Sequence, residues 1–130
     1  MLPVKDLSEA LRTPNVQAFL RVIRAGESSQ GLKAYFTVVG GETVESLEAH
    51  PGRRVWLPKL KLWSTAAGAY QFLLGTWNEC AETLKLPDFT PYCQYLAGVF
   101  LFDRWEALVD VIAGRIPEVI KKCVKEWAGL

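Results

Sequence analysis

The sequence has few of the residues that build metal sites, disulfide frameworks and membrane spans. It contains one histidine and three cysteines, and no C-x-x-C or H-E-x-x-H spacing, so we expect no metal site and no cofactor. The cysteines Cys80, Cys93 and Cys123 are widely spaced and no signal-peptide pattern precedes them, which favours reduced, buried thiols. The longest strongly apolar run, Tyr95–Phe102, is too short to span a bilayer, so membrane insertion is not expected.

The sequence also lacks an excess of charge of either sign. Fifteen basic and fourteen acidic side chains give a net charge of +1, which provides no electrostatic footprint for nucleic acid. Half of the 130 residues are apolar and 22% are charged, as in ordinary globular proteins. A chain of this length can bury one self-supporting core. We therefore predict a single domain over residues 1–130, a monomer that does not bind nucleic acid.

Helical spacing dominates both ends of the chain. Thr13 and Pro14 are typical of an N-cap and a first helical position, and buried-type residues follow at i, i+3, i+4 and i+7. The pattern predicts a helix with its apolar stripe at Val16, Phe19, Leu20 and Ile23. Other helices are predicted over Asp6–Leu11, from Ser64-Thr65 to Leu84, from Thr90-Pro91 to about Leu101, over Arg104–Ile112 with its end at Gly114, and from about Pro117 onward.

The middle of the chain has a different pattern. Its β-prone and turn-forming stretches predict a small β-lobe, over approximately residues 34–60, inserted between the helices. The expected fold class is therefore α+β and mainly helical. The stretches are a first strand at Ala34–Val39, a break at Gly40-Gly41, a returning strand at Thr43–Leu47, a turn at His50-Pro51-Gly52, and an extended or irregular segment at Arg53–Leu60.

Glu27 is the most informative carboxylate. One helical turn beyond Leu20 and Ile23, the apolar stripe reaches this residue, which points its carboxyl toward the core side near a helix end. Desolvation and the negative end of the helix dipole would both favour the protonated form, as a general acid requires. The alternative is that Gly26 turns the chain and leaves Glu27 solvated.

A segment rich in small residues, Ser64–Gln71, is the second candidate. Small side chains allow close backbone approach. Gln71 is predicted to lie beside Tyr70 at the opening of a helix, where it offers an amide next to an aromatic edge, which suits a sugar. The alternative is tight helix packing with Gln71 on the surface.

Single aromatic and histidine positions are less specific. His50 lies in a turn, where a lone histidine is more often structural than catalytic. Trp77 and Trp127 fall on apolar stripes and are predicted to be core residues, whereas Trp56 and Trp63 lie in the irregular segment and could line a groove.

Taken together, these stretches resemble the bacteriophage lambda endolysin family, the lambda-type lytic transglycosylases. The resemblance covers roughly Val16 to Leu130, and two motifs are specific as a pair: S-T-x-A-G-x-Y-Q and D-F-[ST]-P-x-x-Q. The matching residues are Ala18-Phe19-Leu20 followed by Glu27, the run Tyr35–Gly41, His50-Pro51, Ser64–Gln71, Leu86–Pro91 with Gln94, and the late Cys123 and Trp127.

The resemblance implies a lysozyme-like fold in which a helical lobe and a small β-lobe flank a groove for peptidoglycan glycan strands. It implies cleavage of the β-1,4 bond between N-acetylmuramic acid and N-acetylglucosamine to a 1,6-anhydro product, with Glu27 as general acid and base. It further implies synthesis in the bacterial cytoplasm and action on the periplasmic cell wall. The implied substrate-binding residues are Ser28, Tyr35, His50, Ser64, Thr65, Gly68, Tyr70 and Gln71.

A hydrolytic glycosidase usually needs a second carboxylate. Glu42, Glu45 and Glu48 in the β-lobe are possible second carboxylates, but their regular spacing describes a solvated face more simply.

The sequence departs from the family pattern at three places. Ala69 and Tyr95 replace polar residues, which would alter groove contacts. Phe36 replaces an acidic residue, and the sequence ends at Leu130, before the loop and final helix of the family. These last two departures motivate an alternative, a non-catalytic or weakly active glycan-binding module of a phage virion or tail.

Overall fold

The computed structural model describes residues 4–29, 31–128 and 130, and most of them are helical. None of the helices in this part of the chain is long and apolar enough to cross a membrane. The elements are α1 (Val4–Leu11), α2 (Pro14–Glu27), a 3₁₀ helix (Leu32–Phe36), β1 (Val55–Leu57), β2 (Leu62–Ser64), α3 (Leu74–Leu84), α4 (Pro91–Arg104), α5 (Leu108–Ala113) and α6 (Ile116–Cys123).

Helix α4 lies at the centre of the fold. Every side chain from Leu96 to Phe102 is buried, and the helix packs against α1, α2, α3 and α5. A helical segment that is apolar on all sides, as Leu96–Phe102 is, must be surrounded by other elements to remove that surface from water. The helix is therefore the central element against which these four helices pack.

Helix α2 confirms the prediction made from its capping and apolar pattern. It begins at Pro14, with Thr13 in extended conformation before it, and buries Val16, Phe19, Leu20 and Ile23. The helix continues through Gly26 and ends at Glu27, so Gly26 does not turn the chain.

The β-lobe is less regular than predicted. Ala34–Val39 is not a strand: Leu32–Phe36 forms a 3₁₀ helix, and Thr37 and Val38 each make only an isolated bridge, to Thr43 and Ala67. The prediction of a returning strand at Thr43–Leu47 is wrong beyond that bridge. The observed sheet is an antiparallel hairpin that pairs Trp56 with Trp63 and extends beyond residue 60.

The later helices are present, with shifted ends. Helix α3 does not start after Thr65 but at Leu74, because residues 65–73 form a loop that we call the site loop. Helix α4 continues to Arg104, and α5 begins at Leu108 and ends at Ala113. Gly114 caps α5 in left-handed conformation, and α6 begins at Ile116.

The three cysteines are free and buried, as predicted. Burial raises the pKa of the Cys80 thiol to about 12 and that of Cys123 to about 11, so both remain thiols at neutral pH.

Candidate active site

The C-terminal end of α2 is tied to the site loop. Glu27, its last residue, is half-buried, and Ser28 caps the helix with a backbone hydrogen bond to the carbonyl of Arg24. The Ser28 hydroxyl donates to the carbonyl of Ala69 at 2.8 Å. Glu27 therefore stands next to a residue that is hydrogen-bonded to the middle of the site loop.

The site loop folds back on itself through backbone bonds. Ala67 and Phe72 exchange both N–H···O=C bonds, at 3.0 and 2.8 Å, and the N–H of Gly68 donates to the carbonyl of Thr37 at 2.8 Å. Gln71 has a left-handed backbone, with φ of 51°, and its amide donates to the carbonyls of Gly68 and Thr37. Gln71 is thus half-buried at a tight turn three residues before α3, rather than at a helix start as predicted.

Gln94 of α4 holds the site loop through buried hydrogen bonds. Its side chain is 0% exposed and accepts a hydrogen bond from the N–H of Ala69 at 2.9 Å. Its amide group donates to the carbonyls of Phe89 and Tyr35, at 2.7 and 3.2 Å. One buried amide thereby satisfies three backbone groups from three segments, which fixes the loop against the 3₁₀ helix and α4.

Gly68 explains why the two sequence motifs occur together. Its φ is +84°, and a Cβ there would lie 2.5 Å from Gln94 Oε1 and 2.7 Å from Phe89 Cζ. Only glycine combines that conformation with that space. Gly68 of the first motif and Phe89 and Gln94 of the second are therefore in direct steric contact.

Two more buried side chains bind site-loop carbonyls. Trp127 Nε1 donates to the carbonyl of Tyr70 at 3.0 Å. His50 Nε2 donates to the carbonyl of Phe72 at 2.8 Å, while its Nδ1 accepts from the N–H of Gly52 at 3.0 Å. Because the backbone N–H of Gly52 can only donate and the carbonyl of Phe72 can only accept, these contacts select the neutral Nε2–H tautomer. Burial lowers the pKa of His50, and the hydrogen bond to Phe72 opposes that shift.

Five residues predicted to bind substrate lie inside the protein. Tyr70 is 0% and Tyr35 1% exposed, and His50, Ser64 and Gly68 are also buried. The Ser64 hydroxyl accepts from the N–H of Ala66. The side chains of Tyr35, His50 and Ser64 hydrogen-bond to other parts of the protein. The sugar contacts expected of the five residues stay predictions.

The half-buried residues Glu27, Ser28, Thr65 and Gln71 are the remaining candidates that solvent reaches. The Thr65 hydroxyl accepts from the N–H of Leu74 at 3.0 Å, which satisfies an orphan donor at the start of α3. Thr65 and the exposed Trp63 line an open depression of about 500 Å³, with Arg54 and Glu79 at its edge. Arg54 stacks on the Trp63 ring at 4.9 Å from its centroid. An aromatic face beside a hydroxyl and charged groups suits a sugar ring.

Two tryptophans are buried and two are exposed, as predicted. Trp77 and Trp127 are 4% and 2% exposed, whereas Trp56 and Trp63 are 45% and 55% exposed and pack ring against ring on the hairpin.

The carboxylates of the β-lobe are solvated. Glu42, Glu45 and Glu48 are exposed, and Glu42 forms an ion pair with the exposed Arg53. Among the described residues, no cluster of three or more histidine, cysteine or acidic residues could hold a metal ion.

The roles of Gln94 and Trp127 do not follow from the sequence pattern. Gln94 lies next to the apolar run Tyr95–Phe102 of α4, and an amide beside such a run indicates a buried polar group that must be satisfied. That signal identifies a buried hydrogen-bonding residue but not its partners, which are 25 and 59 residues away.

Comparisons with known proteins agree with this architecture. The family model for endolysins matches residues 17–130. The chain is 37% identical over 97 residues to the endolysin of Escherichia phage lambda, which covers 74% of this chain and 60% of that protein. It is 42% identical over 67 residues to the endolysin of Escherichia phage P2, which covers 52% of this chain and 41% of that protein. These matches span less than two thirds of the length of either relative.

Solved structures share the fold. A structure of bacteriophage lambda lysozyme complexed with a chitohexasaccharide superposes with a TM-score of 0.80 at 31% identity, covering 89% of this chain and 79% of that one. A second structure, lysozyme from bacteriophage lambda, gives a TM-score of 0.75 at 28% identity, with 100% and 82% coverage. The fold is therefore α+β and lysozyme-like, and the chain belongs to the endolysin family.

Proposed function

We propose that this protein degrades peptidoglycan as a lytic transglycosylase, with Glu27 as its general acid and base. The observation that carries the proposal is the hydrogen bond from Ser28 to Ala69, because it joins the helix end bearing Glu27 to the loop bearing Gln71. A helical domain without a groove, in which Glu27 and Gln71 lie far apart, is not consistent with that contact.

The proposed substrate is a glycan strand. The related lambda lysozyme structure is a complex with a chitohexasaccharide, which is a chain of β-1,4-linked amino sugars. In this protein, Trp63 and Thr65 line an open depression next to the site loop, which suits the apolar and hydroxyl faces of such sugars. We propose that Gln71 and Ser28 orient the sugar on either side of the bond that is cut.

The chemistry needs one carboxyl group. In the first step, protonated Glu27 donates its proton to the glycosidic oxygen as the bond from that oxygen to C1 of N-acetylmuramic acid breaks. In the second step, the Glu27 carboxylate takes the proton of the 6-hydroxyl of the same sugar. That oxygen bonds to C1, which yields the 1,6-anhydro product and returns Glu27 to its protonated form.

A hydrolytic route would normally use a second carboxylate on the opposite side of the bond. The β-lobe carboxylates at residues 42, 45 and 48 are exposed side chains, and one of them is paired with an arginine. This arrangement favours a reaction in which the substrate provides its own nucleophile.

The test is digestion of purified peptidoglycan followed by mass spectrometry of the products. We expect anhydromuropeptides. Glu27→Gln should lower the rate by a factor of about 10² to 10⁴, as loss of a general acid does. Glu118→Gln, an exposed carboxylate change in the first turn of α6, is the matched control and should leave the rate unchanged.

Other products would revise the proposal in defined ways. Reducing-end products alone would identify a hydrolase, and a loss of rate in Glu45→Gln would then identify its second carboxylate. Full activity in Glu27→Gln would remove Glu27 from the mechanism. Binding to glycan with no product would favour the non-catalytic module, for which Phe36, half-buried against the core, is the motivating residue.

The proposed site of action is the periplasmic cell wall, after synthesis in the cytoplasm of the bacterial host. The family to which the chain belongs supports this proposal.

A further inference from the structure

A second cavity lies between α1, α2 and α4. Its volume is about 340 Å³, which is within the range that small organic ligands occupy. Arg21 and Arg24 of α2, Arg12 between α1 and α2, and Tyr70 and Tyr95 line it, with Leu20 providing an apolar wall. Glu27 and Gln71 are not among its lining residues, so this cavity is distinct from the proposed catalytic groove.

The Arg24 side chain has unused hydrogen-bonding capacity. Its Nη1 donates to the Tyr35 hydroxyl, and its Nε has no hydrogen-bond partner within the described part of the chain. The fully buried Tyr70 hydroxyl hydrogen-bonds to the Tyr35 hydroxyl, whose oxygen has two lone pairs and which donates its own proton to Tyr95 at 2.7 Å. Arg24 is half-buried and lines the cavity, so its guanidinium can bind an acceptor that enters.

The charge of the cavity is positive. Three arginines line it and no lining residue is acidic. The described residues form four ion pairs, and none of them includes Arg12, Arg21 or Arg24. Arg24 also lies over the Tyr35 ring, 5.6 Å from its centroid, which holds the guanidinium in place without neutralising it. A concave site with charge of one sign concentrates ions of the other sign.

The guanidinium groups set the hydrogen-bonding character of the cavity. Arginine side chains donate and cannot accept, so a ligand that pairs with them must supply hydrogen-bond acceptors. Burial raises the pKa of Tyr70, so this lining phenol is neutral and adds no negative charge. The aliphatic and aromatic walls favour a ligand that also carries an apolar body.

From this arrangement we propose that the cavity between α1, α2 and α4 binds a small organic anion, a carboxylate on an aromatic or aliphatic body. The carboxylate would accept hydrogen bonds from the guanidinium of Arg24. Arg12 and Arg21, which are exposed, would strengthen its attraction at the cavity mouth. The apolar body would pack against Leu20 and the Tyr95 ring.

The test is an NMR titration of the full chain with benzoate, observing the arginine Nε–H resonances. Benzamide is the neutral probe of the same shape, and inorganic phosphate is the anion without an apolar body. We expect benzoate to shift the Arg24 Nε–H resonance saturably and more weakly at high salt, because salt screens charge. Benzamide should cause no such shift, and phosphate should bind at least several-fold more weakly than benzoate.

Variants separate the cavity from general surface charge. Arg24→Gln should weaken benzoate binding by at least tenfold. Arg21→Gln, at the exposed mouth, should weaken it about two- to fivefold with the fold intact. Arg53→Gln, an exposed arginine on the other lobe, is the matched control and should have no effect.

Three results would overturn the proposal. Equal binding of benzoate and benzamide would remove the requirement for charge, and phosphate binding as tightly as benzoate would remove the requirement for an organic body. Benzoate binding that is unchanged in both Arg24→Gln and Arg21→Gln would place the ligand elsewhere.

Discussion

The site loop and the β1–β2 hairpin adjoin each other in the chain, but they differ in what their side chains contact. Around the site loop, Gln94, His50 and Trp127 are buried and bonded to its backbone. On the hairpin, Trp56 and Trp63 are about half exposed, and residues 53–64 carry four cationic side chains and no acidic one. The site loop is therefore held in one shape by buried side chains, whereas the aromatic faces of the hairpin remain accessible to a ligand.

Removing the amide of Gln94, which holds the site loop, should have the largest effect on stability. Gln94→Leu keeps the volume but leaves the Ala69 N–H and the Tyr35 and Phe89 carbonyls buried without this partner. We expect a loss of about 3–5 kcal/mol in the free energy of unfolding, measured by urea denaturation. Asn78→Leu, a change of an exposed amide on α3, is the control and should cost about 0.5 kcal/mol or less. Equal losses would mean that the loop is not held by Gln94.

Adding one methyl group at Gly68 should have the second-largest effect on stability. Gly68→Ala adds a Cβ that meets Gln94 and Phe89 in a left-handed conformation, and we expect a loss of about 2–4 kcal/mol in the same measurement. Gly31 has nearly the same φ, +85°, and no described atom lies within 4 Å of the point that a Cβ would occupy. Gly31→Ala should therefore cost only about 1 kcal/mol. The difference between the two variants measures the steric contact between the motifs, and no difference would refute it.

Lowering the pH should reduce the free energy of unfolding through His50, which is hydrogen-bonded to the site loop. Because burial lowers the pKa of His50 in the folded protein, the unfolded chain binds the proton first as the pH falls. The free energy of unfolding should therefore be constant above the ordinary histidine pKa of 6.5 and decline below it, toward the folded pKa. His50 is the only histidine in the chain, so His50→Gln should remove this decline in urea titrations between about pH 5 and pH 8. A decline that persists in the variant would assign it to another group.

The smallest effect on stability is expected on the hairpin. Trp63→Ala removes an exposed ring and should change the free energy of unfolding by less than about 1 kcal/mol. On the proposed function, it should weaken binding to insoluble peptidoglycan by about two- to tenfold in a pelleting assay. Leu60→Ala, at a similarly exposed apolar position of the hairpin turn, is the control. If both variants bind as the parent does, the hairpin does not contact glycan.

The helical lobe could be predicted from local pattern because its signals are local. Thr13-Pro14 and Thr90-Pro91 mark the starts of α2 and α4. The apolar spacing of α2 correctly predicts which of its residues are buried. Extending that stripe by one turn leads to Glu27, which is the last residue of the observed helix.

The site loop could not be predicted in this way, because tertiary contacts override local propensity there. The β-prone residues around Tyr35 form a 3₁₀ helix in which the Tyr35 carbonyl is bound by α4 and the Tyr35 hydroxyl by α2. The segment from Thr65 to Leu73 has helix-compatible small residues, yet two positions in it take left-handed conformations. Gly68 does so against the amide of Gln94, and Gln71 does so while its own amide bonds to the carbonyls of Gly68 and Thr37.

The hydrogen bond from Trp127 to Tyr70 has a consequence for the order of assembly. It joins residues 57 positions apart, and the bonds of Gln94 to Ala69 and Tyr35 span 25 and 59 positions. Contacts that close such long stretches of chain form late, after the local helices have overcome their own nucleation cost. On a ribosome, the loop next to Glu27 acquires its final shape only when Trp127 has emerged, so the proposed catalytic helix is made early and its surroundings are completed late.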